Sequence, residues 1–184
     1  MGRRRTIDRE KVLDQAEAIV LAVGAAGLTI DAVAKAAGIT KGGVQYCFGN
    51  KDGLIDAMIE RWFSDFDSAV AAEGGDDADP VKAMRAHVAV TARMDMADKA
   101  RTSGMMAALM QREDHMAKNR AWYRARLDRL DLSTEEGRRA RLMFLATEGV
   151  FLLRGFGFLE MKDAEWQDMF ADILKLLPKS GEQA

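Results

Sequence analysis

Apolar side chains recur along this chain at three- and four-residue intervals, with no stretch of the strict alternation that marks a half-buried strand. Asp8 stands as a cap before a stripe of Val12, Leu13, Ala16, Ile19, Val20 and Val23, which predicts a first helix ending between residues 24 and 27. Thr29 is placed to cap a second helix, whose buried stripe is Ile30, Val33, Ala34 and Ala37. Gly38 falls where a helix leaves through a left-handed residue, and Ile39 plugs the corner. Thr40 then caps a third helix over 41–48. Asn50 caps a longer one over 51–72, with Leu54, Ile55, Met58, Ile59, Trp62 and Phe66 on its apolar face. The run EGGDDAD at 73–79 reads as a linker, and Asp79 followed by Pro80 as a helix start. Helices are predicted beyond it over 80–97, 103–112, 114–130, 134–158 and 163–177, with Ser133 and Glu136 at capping-box spacing. The pattern predicts an all-α fold: a three-helix helix-turn-helix head over 1–50 and a helical body over 51–184.

Two short helices joined by a tight glycine turn form the unit whose second helix enters the DNA major groove. That helix divides into two faces. Val44, Cys47 and Phe48 are spaced to point into the core, whereas Lys41 with Gln45, and Gly42 with Tyr46, share the opposite side. Gln reads adenine through two hydrogen bonds, Lys reaches phosphate or guanine, and Gly42 lets backbone approach backbone. Thr29, Thr40 and Lys51 are candidate phosphate anchors, Lys51 at the start of a helix whose free N–H groups favour anions. The competing reading is an ordinary helical hairpin with solvated polar residues.

The stretch TKGGVQYCFGNKDGL, residues 40–54, resembles the recognition helix and following turn of TetR-family transcriptional regulators, and the likeness extends over about 8–58. Thr40, Lys41, Gly42, Val44, Tyr46, Phe48, Asn50, Lys51 and Leu54 fit the family's pattern. Cys47 stands where that family most often has His, and Gln45 replaces a common Tyr or Leu. The resemblance implies a DNA-binding head, a dimer and a small-molecule effector.

Charge sharpens this picture. The 184 residues carry a net charge of −2, yet residues 1–51 hold eight Lys or Arg against five Asp or Glu, leaving −5 for the remainder. A basic front on an acidic body suits a chain that meets phosphate at one end. Arg3, Arg4 and Arg5 form a basic arm for phosphates or a minor groove, or else a solubilising tail. No apolar run is long enough for a membrane span, and one Cys among 184 residues fits a reducing cytoplasm.

The two C-terminal predicted helices are heavily apolar. Leu142, Leu145, Ala146, Gly149, Leu152 and Leu153 on one, with Trp166, Met169, Phe170, Ile173 and Leu174 on the other, predict a four-helix bundle with a second copy. Burial of both within a monomer is the alternative. Twelve methionines are unusual, and flexible thioethers suit a pocket for ligands of varied shape. Candidate lining residues are Trp62, Phe66, Met94, Met106, Met110, Trp122 and Phe151, with plain core packing as the competing reading for each. Glu148 lies mid-helix among small residues and needs a partner if buried. Facing a cavity, it would attract a cationic lipophilic effector, and the C-terminal half looks like regulators of multidrug export. A pair with Arg154 or Arg141, or simple exposure, would explain it equally.

His87 and His115 sit on different helices without further ligands at metal spacing, and no phosphate loop or nucleophile–base pair is present, so no metal, cofactor or catalysis is expected. The expectation is a cytoplasmic homodimeric repressor on a pseudo-palindromic double-stranded DNA operator, released by a small hydrophobic effector. An activator of the same fold is one rival, and a helical enzyme or protein-interaction module is another.

Overall fold

The computed structural model describes residues 7–75, 78–94, 101, 104–107, 110 and 113–177. The basic arm at 1–6, Met96 and parts of the predicted helices at 95–97 and 103–112 lie outside them. The chain gathers into two compact units, one of Met1–Phe63 with Ala100–Met116, the other of Ser64–Lys99 with Ala117–Ala184. No helix among the described residues is long and apolar enough to cross a membrane.

The first unit is built on α1 (Arg9–Gly27), α2 (Ile30–Ala37), α3 (Lys41–Phe48) and the front of α4 (Lys51–Ala72). The Asp8 carboxylate takes the Lys11 N–H and starts α1. Near its end α1 kinks at Gly24, whose φ of 77° favours glycine, and Val23 just before it is 65% exposed rather than buried on the predicted stripe. Thr29 accepts from the Ala32 N–H at 3.1 Å and Thr40 from the Gly43 N–H at 3.1 Å, so both predicted caps are formed. Between them Gly38 (φ 66°, ψ 33°) ends α2 as a Schellman turn: its N–H returns to Lys35 and that of Ile39 to Ala34. Asn50 caps α4 through Gly53 N–H at 2.9 Å. A Cβ at Gly53 would lie 2.1 Å from the Phe48 carbonyl, so only glycine lets α4 start this close to the end of α3. Val12, Leu13, Ala16, Leu28, Val44 and Leu54 are buried in the resulting core.

An ion network ties α1 to α4 within this unit. Glu10, Asp14 and Glu17 occupy one face of α1, and Arg61 reaches them at 3.3, 2.8 and 2.6 Å. Burial pulls the Arg61 pKa down, but hydrogen bonds and charge from Glu17, with help from Asp14 and Glu10, outweigh it and raise it overall.

The second unit contains the rear of α4, α5 (Pro80–Ala92), most of α6 (Glu113–Leu127), α7 (Glu135–Gly155) and α8 (Asp163–Lys175). Asp79 caps α5 through the N–H groups of Val81 and Lys82, as its pairing with Pro80 predicts. α5 ends at Ala92, short of the predicted 97, because the Arg93 and Met94 N–H groups fold back three residues to Val90 and Thr91. Thr134, not Ser133, caps α7: the Asp131 carboxylate takes both the N–H and the hydroxyl of Ser133, and Thr134 is left to accept from Gly137 N–H at 3.0 Å. α7 packs on α5, with Phe144 edge-on to His87, and its Met143 and Thr147 are fully buried. α8 is pinned to the end of α5, Trp166 and Gln167 donating to the Ala92 carbonyl at 2.7 and 3.0 Å.

Candidate nucleic-acid interface and effector cavity

The reverse side of α3 is fixed by Val44 and Phe48, 0% and 8% exposed, and Cys47 is half-buried beside them. Arg9 clamps the same end, its guanidinium 4.7 Å above the Phe48 ring and donating to the Cys47 carbonyl at 2.8 Å. The opposite side carries Lys41, Gly42, Gln45 and Tyr46, all exposed, with Tyr46 at 90%. A Cβ on Gly42 would meet nothing nearer than the Thr40 hydroxyl at 3.9 Å. Packing inside the protein therefore does not demand glycine there.

The cations are tethered. Lys41 pairs with Asp31 of α2 at 3.0 Å, an exposed contact across the helix-turn-helix. Lys51 is half-buried and donates to the Ala25 carbonyl at 3.4 Å. Thr29 and Thr40 accept from their own helices, which leaves each hydroxyl hydrogen able to donate outward.

Within the second unit lies a cavity of about 340 Å³. Its residues fall at helical spacing on three elements: Asp67, Val70 and Ala71 on α4; Pro80, Ala83, Met84 and His87 on α5; Ala125 and Arg126 on α6, with Arg129 just past it. Behind His87 stands a polar knot. Glu148 Oε1 lies 2.7 Å from His87 Nε2, and Tyr123 donates its hydroxyl to Glu148 Oε2 at 2.6 Å. A carboxylate only accepts, so the histidine proton sits on Nε2. Its Nδ1 is buried with no hydrogen-bond partner among the described residues. Phe66, Trp122, Tyr123 and Phe144 surround this knot edge-on, Phe66 and Phe144 at 4.8 and 4.9 Å from the imidazole. Burial, then the charge and hydrogen bond of Glu148, push the Tyr123 phenol well above its ordinary value.

Of the predicted effector residues, Phe66, Trp122 and Glu148 thus come together, one layer behind the cavity wall. Phe151 is buried one turn further along α7, and Met94 is half-buried after α5. Trp62, Met106 and Met110 belong to the first unit, half-buried, buried and exposed respectively. Glu148 pairs with neither Arg154 nor Arg141 as weighed from the sequence; Arg154 is buried, pairs with Asp163 and stacks on Trp166. Sequence reasoning missed Asp67, His87 and Arg126. The only local signal was Arg126 four residues after Trp122, the spacing that lays its guanidinium 3.3 Å over the indole. No group of three or more metal-binding side chains occurs among the described residues.

Residues 12–58 match the family described as "Bacterial regulatory proteins, tetR family", and residues 81–178 match "Tetracyclin repressor-like, C-terminal domain". The chain belongs to the TetR family. Among curated relatives, the "HTH-type transcriptional regulator BetI 2" of Chromohalobacter salexigens is 35% identical over 66 residues, 36% of this chain and 32% of that one. The chain spans about a third of the length of the curated relatives it matches. Solved TetR-type structures cover far more. A transcriptional regulator from Aquifex aeolicus has a TM-score of 0.69 at 16% identity, over 91% of this chain and 98% of that one. NalD, "the secondary repressor of MexAB-OprM multidrug efflux pump in Pseudomonas aeruginosa", has a TM-score of 0.61 at 18% identity, over 92% and 94%. At these identities the structures speak for the fold.

TetR-family proteins are transcription regulators and not enzymes, the class that the sequence pattern implied. In this TetR-family chain α7 also carries an uncovered apolar stripe. Leu142, Leu145 and Leu153 are 56%, 50% and 43% exposed, and a Cβ on Gly149 would meet nothing within 4 Å. On α8 the corresponding apolar side, Trp166, Phe170 and Ile173, is buried within the unit instead.

Proposed function

We propose that this TetR-family chain is a transcriptional repressor that binds a pseudo-palindromic DNA operator as a homodimer and is released by a small molecule held in the second unit. The exposed ridge of Lys41, Gln45 and Tyr46 on α3, with its apolar reverse locked in the core, is the observation that carries the reading. Gln45 reads a base edge, Lys41 and Tyr46 add base or phosphate contacts, and Thr29, Thr40 and Lys51 anchor the backbone. Gly42 lets the helix approach the duplex closely. The functional division falls near residue 50, with 1–50 as the DNA-binding part and 51–184 as the effector and dimerisation part.

The α7 stripe supports the dimer, because a second copy is the simplest cover for leucines at helical spacing. Two heads on one duplex then read half-sites about 34–36 Å apart. Effector binding would act through α4, which contributes residues to both units, by favouring a state with the wrong head spacing. Moving that balance from 1:99 to 99:1 takes about 5.5 kcal/mol of differential binding.

The test is selection of genomic fragments by the purified protein, followed by fluorescence anisotropy on the enriched site and a reporter with the gene deleted. A specific site and raised reporter output are expected. Binding to no fragment above random DNA would refute DNA recognition, and lowered output would make the chain an activator.

A further inference from the structure

The cavity of the second unit is graded in exposure and unbalanced in charge. The His87 side chain is 3% exposed, whereas Arg126 and Asp67 are 20% and 50% exposed, so the lining runs from a dry end to a wet one. Val70, Ala71, Pro80, Ala83, Met84 and Ala125 make aliphatic walls between. The charged lining is Asp67, Arg126 and Arg129, two cations to one anion. Glu148, the carboxylate that sequence offered as bait for a cation, is absent from this lining, and both its oxygens are engaged by His87 and Tyr123. Arg126 is differently placed. It stacks on Trp122, donates Nη1 to the Trp122 carbonyl at 3.0 Å and pairs through Nη2 with Asp67, a half-exposed carboxylate that a ligand can displace. Burial, the largest influence on its guanidinium, pulls the pKa below the ordinary arginine range against the charges of Asp67 and Glu148. A cation in that position gains from an anion whose geometry matches it better than that half-exposed carboxylate.

We propose that this cavity binds a small aliphatic carboxylate, its head group on Arg126 beside Arg129 and its hydrocarbon along Val70, Ala83 and Met84 toward His87. The head group displaces Asp67 from Arg126, and the tail replaces water against walls that offer it no hydrogen bonds. The consequence for DNA rests on the repressor reading; the binding preference does not.

Three probes with one hydrocarbon and different head charges separate the alternatives: octanoate, octan-1-ol and octylammonium, titrated calorimetrically into the full-length protein. Octanoate is expected to bind at least about tenfold more tightly than the other two, the scale of a charge-assisted hydrogen bond. Arg126→Gln should remove that advantage and leave octanol affinity within about threefold, a split that general loss of packing would not produce. Asp67→Asn, at a half-exposed position, should tighten octanoate about two- to fivefold by removing the competing carboxylate. Octylammonium binding as tightly as octanoate, no saturable octanoate binding, or unchanged octanoate affinity in Arg126→Gln would each overturn the proposal. Operator release is read separately by gel shift. Octanoate bound in preference but with DNA retained supports the site and refutes its role in repression. DNA released by octylammonium alone refutes the site and leaves the repressor standing.

Discussion

The carboxylate of Asp31 lies 3.0 Å from the ammonium of Lys41, bridging the two helices of the helix-turn-helix on their exposed side. Both side chains are more than half exposed, so the pair contributes little to stability. Its effect is on binding: Lys41 must leave Asp31 to reach a phosphate, and Asp31 itself repels the duplex. Asp31→Asn should therefore tighten binding to operator and random DNA alike, by about two- to fivefold at low salt, with the melting temperature nearly unchanged. Anisotropy on both DNAs checks it; tightening confined to the operator would place Asp31 in base readout instead.

Gln45 and Lys51 should fail differently. The Gln45 side chain is exposed, so Gln45→Ala should cost about 1–3 kcal/mol on the operator and almost nothing on random DNA. Lys51 donates to the Ala25 carbonyl from the start of α4. Lys51→Met should weaken both DNAs similarly, flatten the salt dependence by about one unit, and lower thermal stability slightly. Equal losses on both DNAs for Gln45→Ala would remove it from the readout.

What could be read in advance follows the range of the forces involved. Thr29, Gly38, Thr40 and Asn50 act within four residues, and each does in the fold what its local pattern predicts. Ser133, expected as the cap of α7, gives way to Thr134, since two adjacent hydroxyls can cap one helix and only the demand of Asp131 separates them. Val23 fits the apolar stripe of α1 but is exposed, one residue before the helix kinks at Gly24. Glu148 marks the limit. Its partner His87 is 61 residues away, a distance at which helical periodicity says which faces are apolar but not which turn meets which. The cavity shares that limit, because its three walls are set by register between helices. Glu148 looked like a ligand anchor in sequence for the same reason that it became a structural one: a carboxylate among small residues must be satisfied by something.

Tyr123 carries a pH dependence whose sign is fixed. Its phenol donates to Glu148, and burial with that neighbouring charge raises its pKa above the ordinary value of 10.0. The folded chain thus keeps a proton that the unfolded chain releases as pH climbs past about 10, and stability falls there. Tyr123→Phe should cost about 1–2 kcal/mol at neutral pH, from the hydrogen bond lost to Glu148. The same variant should show a shallower alkaline decline, measured as denaturation midpoints between pH 8 and about 11. A parallel decline in both proteins would mean that the phenol contributes nothing to it.

Leu145 tests the dimer. At 50% exposure on α7, between Leu142 and Gly149, it touches little within its own chain, so a polar replacement should leave the fold intact. Buried between two copies, a glutamate pair there would face its own charge in a dry interface, which costs several kcal/mol. Leu145→Glu is therefore expected to sediment as a monomer with unchanged helix content and a melting curve no longer dependent on concentration. Operator affinity should drop at least about a hundredfold, because each head then binds one half-site alone. Random-DNA affinity should fall far less, being set by the phosphate contacts of single heads. A Leu145→Glu protein that still sediments as a dimer would move the interface off α7 and leave its leucines to some other partner.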